Sequence, residues 1–243
     1  MKLDTIILQN FDSLNSSSEF RACITFSLMR DVKIVRTKLE TLDEFTELLR
    51  RPTTLPVGSV EFLRKSFILA DKSIPAPLSY PSCFLSDMVQ QPELCQKEDV
   101  FQNDVFVKPY ATKLFTGFCL NNLNEDNSQD YQTFLNLHSS EPIWVCPILD
   151  IDQEWRVYIQ DNKIIGYARY DDSESDDANP VEFTQKLLTK SDIEHPYCID
   201  VGRLTNGLWT VIEVNDAWAL GLYGRALTPD QYVEYLHNRW LSC

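Results

Sequence analysis

The 243-residue sequence predicts an α+β fold, and three stretches carry that expectation. In "EWRVYIQDNKIIGYARY", Glu154 to Tyr170, two alternating strands flank a tight turn at Asp161-Asn162. In "CIDVGRLTNGLWTVIEVNDA", Cys198 to Ala217, two apolar strands flank Asn206-Gly207, a dipeptide suited to the positive φ angles of a type I′ turn. In "TPDQYVEYLHNRWL", Thr228 stands at an N-cap position, Pro229 at the first helical position, and apolar residues follow at helical spacing.

The remaining elements follow in chain order. The runs "TIILQ" and "VKIVRT" are short strands. "TLDEFTELLRR", Thr41 to Arg51, predicts a helix: Thr41 and Glu44 have capping-box spacing, Leu42, Phe45, Leu48 and Leu49 share a face, and Pro52 stops it. "LPVGSVEFLRKSFILA" gives a turn and a second helix. Pro75, Pro77 and Pro81 mark "IPAPLSYP" as a crossing segment between lobes. "DVFVKPY" is a strand ended by Pro109, "WVCPILDI" reads as buried, and "DDSESDDANP" is a solvated acidic loop. The expected division is a small α/β domain over residues 1–75 and a larger α+β domain over 76–243.

Composition narrows the function. A formal charge of −14 repels phosphate backbones, so nucleic-acid binding is not expected. Surplus acid of this kind mostly keeps a protein dispersed. No apolar run approaches a membrane span, and the apolar run near the N-terminus, "TIIL", is too short for a secretory core. Seven cysteines without zinc-knuckle spacing read as buried, reduced thiols, which points to the cytoplasm. No cysteine has an activating neighbour, and His138, His195 and His237 build no metal motif.

The Asn206-Gly207 hairpin contains the sharpest signal. With those two residues as the turn, opposed positions sum to 413, which sets Asp200 against Glu213 and Cys198 against Asn215. Strand alternation puts Asp200, Glu213 and Asn215 on one face and Ile199, Val201, Ile212 and Val214 on the other. Opposed anions destabilise a bare hairpin. Two readings stay open: both acids are solvated, or a hard divalent cation such as magnesium binds their oxygens. In the Asp161-Asn162 hairpin, positions sum to 323, so Arg156 shares a face with Glu154 and Arg169 lies across from Glu154. These are either an exposed ion pair, worth about 0–1 kcal/mol, or donors for phosphate oxygens. Lys108 ends an otherwise apolar strand, Lys113 follows in a loop, and Thr116-Gly117 allow close backbone approach to a ligand. No P-loop is present.

The ordered set of strand lysine, loop lysine, apolar hinge, Glu-x-Arg strand, then Asp and Glu-x-Asn resembles the ATP-grasp fold of carboxylate–amine ligases. The terminal acids resemble the magnesium-binding hairpin of D-alanine–D-alanine ligase-like enzymes. "FVKPYATKLFTG", "EWRVYI" and "IEVNDAWALGLYG" are similar to the clade named for two arginines and a lysine, over roughly residues 80 to 225. The resemblance implies an ATP-grasp fold, two α+β lobes gripping ATP, behind the small N-terminal domain. It further implies that Lys108, Lys113 and Arg156 meet the phosphates, Trp144, Val145 and Cys146 line the adenine hinge, and Glu154 meets the ribose. Asp200, Glu213 and Asn215 would hold magnesium, and Asp216 and Tyr223 would meet the second substrate. Arg64 would be the clade's other arginine, with Arg169 as a competitor for that role. Two departures stand out: Cys198 occupies a position that is arginine in many superfamily members, and the phosphate loop has few glycines.

The implied activity is ATP-dependent amide formation, through an acyl phosphate and with magnesium, between a small-molecule or peptide carboxylate and an amine. The expected state is a monomer or homodimer. The competing class is a non-catalytic nucleotide-binding protein that kept the fold.

Overall fold

The structure, a computed structural model, describes residues 2–10, 17–100, 104–111, 114–121, 127–171 and 178–243. Its first third alternates strand and helix: β1 (Thr5–Gln9), α1 (Ser18–Arg30), β2 (Lys33–Thr37), α2 (Thr46–Leu49), β3 (Thr54–Val57) and α3 (Val60–Leu69). The strands form a parallel sheet in the order β2-β1-β3, with β1 buried along its whole length. The side chains of Ser17 and Ser59 cap α1 and α3 by accepting from Phe20 N and Phe62 N. The helix predicted over Thr41–Arg51 is instead a 3₁₀ turn, Leu42–Phe45, followed by the single turn of α2. Its capping box does not form, because the Thr41 hydroxyl is engaged by Thr37 Oγ1 and Lys38 O instead.

A second, antiparallel sheet comprises β4 (Glu93–Gln96), β5 (Val105–Pro109), β6 (Phe118–Cys119) and, after α4 (Ser128–Asn136), β7 (Pro142–Pro147), in the order β4-β7-β5-β6. Val105, Val107 and Ile143 pack on one face with Phe115, Phe118 and Phe134. Lys108 and Trp144 are opposed across β5 and β7, on the other face. The run expected to be buried after Trp144 behaves differently: Ile148 is exposed, and Pro147, Ile148 and Leu149 line a cleft.

The third sheet, also antiparallel, contains β8 (Ile151–Gln160), β9 (Lys163–Arg169), and, beyond α5 (Val181–Leu188), β10 (Tyr197–Leu204) and β11 (Trp209–Asp216), in the order β11-β10-β8-β9. One face packs Val157, Ile159, Ile199, Val201 and Val214 against Phe84, Met88 and Leu187. The chain ends in α6 (Pro229–Leu241), whose Thr228–Gln231 capping box forms in full. This helix carries Tyr232, Tyr235, Leu236 and Trp240 into the core that covers the parallel sheet.

Both hairpins differ from the simplest register. Asp161 and Asn162 have φ of 50° and 55°, as a type I′ turn requires. A bulge between Tyr158 and Ile159 on the pairing then shifts the ladder, so Arg169 opposes Trp155 rather than Glu154. In the β10–β11 hairpin only Gly207 has positive φ, 84°, and Gly207 N donates to Leu204 O. The ladder therefore starts one residue off, with Val201 opposite Val211, and a bulge restores the expected pairing of Asp200 with Glu213 and Cys198 with Asn215. The bulge turns Ile212 away from the apolar face: a Cβ on Gly202 would meet its side chain, and Val211 takes its place in the core.

Candidate active site

A cleft of about 870 Å³ opens between the second and third sheets. Of the sequence-predicted residues, Lys108, Thr116, Gly117, Cys146, Glu154, Glu213, Asn215, Asp216 and Tyr223 line it. Lys113 lies outside the described residues. Arg64 is half-buried on α3 and is not among the lining residues.

The charges are organised as two ion pairs joined by an amide. Arg156 and Asp200 are cross-strand neighbours on β8 and β10. The arginine fork donates from Nε to Asp200 Oδ1 at 2.8 Å and from Nη2 to Oδ2 at 2.6 Å. Asp200 is only 1% exposed and Arg156 8%. Lys108 reaches from β5 to Glu213 on β11, so this pair spans the cleft. Asn215 Nδ2 donates to Glu213 Oε1 at 2.6 Å and to Asp200 Oδ2 at 3.1 Å. The repulsion expected between the opposed acids is thus met by two cations and an amide hydrogen-bond donor. Burial pushes the Lys108 ammonium down to about 8, with the Asp200 charge pulling the other way.

Cys198 shares the buried surroundings of Asp200, and its thiol lies 4.0 Å from Asp200 Oδ1. Arg156, on the neighbouring strand, places its guanidinium against the same carboxylate. Burial raises all seven thiols above their ordinary range, Cys23 to about 12, so none is primed as a nucleophile. All seven are free; Cys23 and Cys198 are buried and the other five half-buried.

Aromatic rings hold these charges in place, and sequence reasoning missed two of them, Tyr80 and Tyr170. Tyr170 and Tyr223 stack with centroids 5.0 Å apart, and the Arg156 guanidinium lies 4.7 Å from the Tyr223 centroid. Tyr80, from the crossing segment, lies 5.5 Å from the Lys108 ammonium and meets Cys146 Sγ through its hydroxyl at 3.3 Å. Tyr80 also packs edge-on against Trp144, whose buried Nε1 meets no hydrogen-bond partner among the described residues. Val145 lies on the opposite face of β7, opposed to buried Val107. Burial raises the Glu154 carboxyl, which a hydrogen bond from Tyr170 partly offsets. Arg169 is engaged by Asp171 at 2.8–3.0 Å, and Arg203 by Asp152 at 3.3 Å.

Asp216 is gripped by Arg239 on α6, Nε to Oδ1 at 2.6 Å and Nη2 to Oδ2 at 2.7 Å. A charged residue on the Tyr232–Leu236 stripe of a helix was the sequence signal for a buried partner. A Cβ on Gly117 would fall 2.3 Å from Phe106 Cζ, so any side chain there would require that ring to move. Thr116 N donates to Asp130 of α4 at 2.7 Å, which fixes the loop at the mouth of the cleft.

The oxygen donors suit a hard cation. Glu213 and Asn215 present a carboxylate and an amide at the cleft surface, and Asp200 stands behind them, bonded to both Asn215 and Arg156. Among the described residues there is no group of three or more His, Cys, Asp or Glu able to hold a metal by themselves.

Comparison with known proteins gives this geometry a context. The family model of the ATP-grasp domain, R2K clade family 3, matches residues 50–238. No curated protein matches the sequence. The chain is similar in structure to N5-carboxyaminoimidazole synthetase from Staphylococcus aureus, at 8% identity over 98% of this chain and 80% of that one, TM-score 0.56. It is similar to the ATP-grasp ligase PsnB in complex with a phosphomimetic variant of its minimal precursor, Mg and ADP, at 11% identity over 99% and 98%, TM-score 0.52. It is also similar to D-alanine–D-alanine ligase from Bacillus anthracis, at 15% identity over 100% and 95%, TM-score 0.50. At these identities the likeness shows the fold. The family match carries the assignment: the chain belongs to the ATP-grasp family, R2K clade family 3, and so to the ATP-dependent ligases.

Proposed function

We propose that this ATP-grasp ligase joins a carboxylate to an amine, forming an amide bond through an acyl phosphate, with magnesium. The observation that carries the reading is the convergence of Lys108, Glu154, Glu213 and Asn215 on one cleft, with the Arg156–Asp200 pair sealed behind it.

A carboxylate oxygen attacks the terminal phosphorus of ATP, and the bond to the ADP oxygen breaks. The amine nitrogen then attacks the acyl carbon, phosphate leaves with the electron pair, and the amine loses a proton. The task left to the protein is placement and charge compensation. Lys108 and the loop lysine, Lys113, donate to phosphate oxygens. Arg156 holds a fixed positive charge behind Glu213 and Asn215. Glu154 receives the ribose hydroxyls, and β7, which brings Cys146 to the cleft, holds the base. Glu213 and Asn215 would hold magnesium directly, with Asp200 orienting Asn215. Magnesium, when bound, offsets the charge of the phosphate oxygens. Tyr223 faces the second substrate, and the grip of Arg239 keeps Asp216 fixed beside it. No protein nucleophile is needed, in keeping with seven unactivated thiols.

The structure of PsnB with a precursor variant favours an amino-acid or peptide substrate here as well. Residues 1–75 brace the ligase lobes in this reading, because their core is continuous with Trp218 and α6.

The test is ADP release from ATP and magnesium in the presence of mixed amino acids and peptides. Wild type releases ADP only when substrate is present, and Glu213→Ala stays folded but releases none. Full ADP release by Glu213→Ala would contradict the assignment.

A further inference from the structure

The Lys108–Glu213 pair does more than neutralise two charges. We propose that Lys108 occupies the seat of the divalent cation until a nucleotide arrives, so that metal and nucleotide bind this chain as a coupled pair. The inference rests on the reading of Glu213 as a metal ligand.

Three observations support it. First, Lys108 and Glu213 belong to different sheets, so no backbone ladder holds the pair together. Second, their side chains are 18% and 23% exposed, whereas those of Arg156 and Asp200 are 10% and 1% exposed. The cross-cleft pair is open to exchange and the other is not. Third, among the described residues the Lys108 ammonium meets Glu213 and the Tyr80 ring. A divalent ion entering alone must take Glu213 from Lys108 and leave the ammonium with the Tyr80 ring and the charge of Asp200, which Arg156 already pairs. Phosphate oxygens of a nucleotide give Lys108 a second anion and release Glu213 to the metal.

Metal affinity is then reduced by the fraction of molecules in which the pair is open, and the nucleotide removes that reduction. By linkage, the metal must improve nucleotide affinity by the same factor. Asn215 links the two acids in the closed pair, because its Nδ2 donates to both Asp200 and Glu213.

The experiment is a titration of the full chain with Mn²⁺ alone, followed by the electron paramagnetic resonance of the free ion. Lys108→Met is expected to bind Mn²⁺ about tenfold or more tightly than wild type, as removal of a dominant closed state requires. Lys108→Gln, a polar replacement, is expected to move affinity in the same direction, and thermal unfolding of both variants verifies the fold. Adding Glu213→Gln to Lys108→Met returns binding to the wild-type level or below. Equal Mn²⁺ affinity in wild type and both Lys108 variants overturns the proposal. Tight binding that survives Glu213→Gln instead overturns the metal assignment beneath it, so the two failures are distinguishable.

Discussion

Two ion pairs flank Asn215, and their surroundings differ. Arg156 and Asp200 lie on adjacent strands of one sheet, with two hydrogen bonds between them and almost no exposure. Lys108 and Glu213 face each other across the cleft with about a fifth of each side chain exposed. The first pair is sealed between Cys198 and the Tyr223 ring, and either charge left alone there would be stranded away from water. The second can trade either partner for a ligand. Similar chemistry therefore serves as framework in one place and as an exchangeable contact in the other, and burial decides which.

The largest effect expected from this contrast is on stability. Arg156→Met leaves Asp200 charged and buried, and should cost about 3–5 kcal/mol, as removal of one partner from a buried pair does. For a chain of this size that lowers the melting temperature by on the order of 10 °C. Lys108→Met leaves Glu213 at the cleft surface with 23% of its side chain exposed, and should cost clearly less than Arg156→Met. Urea unfolding of the two variants measures both, and equal losses would break the contrast.

A smaller effect distinguishes the cleft from the N-terminal core. His237 on α6 is buried and donates from Nε2 to Pro52 O at 3.0 Å. Burial holds its imidazole below the ordinary value. The unfolded chain therefore takes up the proton first as pH falls through about 6.5. The contribution of His237 to stability is complete above that pH and is lost as pH falls toward the lower folded value. His237→Gln should flatten the decline in stability on the acid side of neutrality without changing nucleotide affinity. Unfolding curves at a series of pH values, with an unchanged slope in the variant, would refute this.

Much of the site was legible in the sequence because strand alternation and chain order place Lys108, Asp200, Glu213 and Asn215. The pairing of Asp200 with Glu213 came out as expected although the turn did not. A loop with only Gly207 at positive φ offsets the register, and the bulge at Ile212 restores it. In the other hairpin the turn matched and the ladder still shifted, which moved Arg169 away from Glu154. Beside that shift, Gly166 lies so close to the segment leading into α6 that a Cβ there would fall 2.0 Å from Ala226 O. No local pattern encodes such a contact. The choice of partners was equally hidden, since Lys108–Glu213 and Arg239–Asp216 join residues from different elements. The helix α1 went unread because its stripe is weak, with Leu28 and Met29 exposed near its end.

The most direct test of the cleft as a metal–nucleotide site is calorimetric titration with ADP, with and without magnesium, for wild type and Glu213→Ala. Magnesium should tighten ADP binding to wild type and leave binding to Glu213→Ala unchanged. An equal gain from magnesium in both proteins would contradict the account.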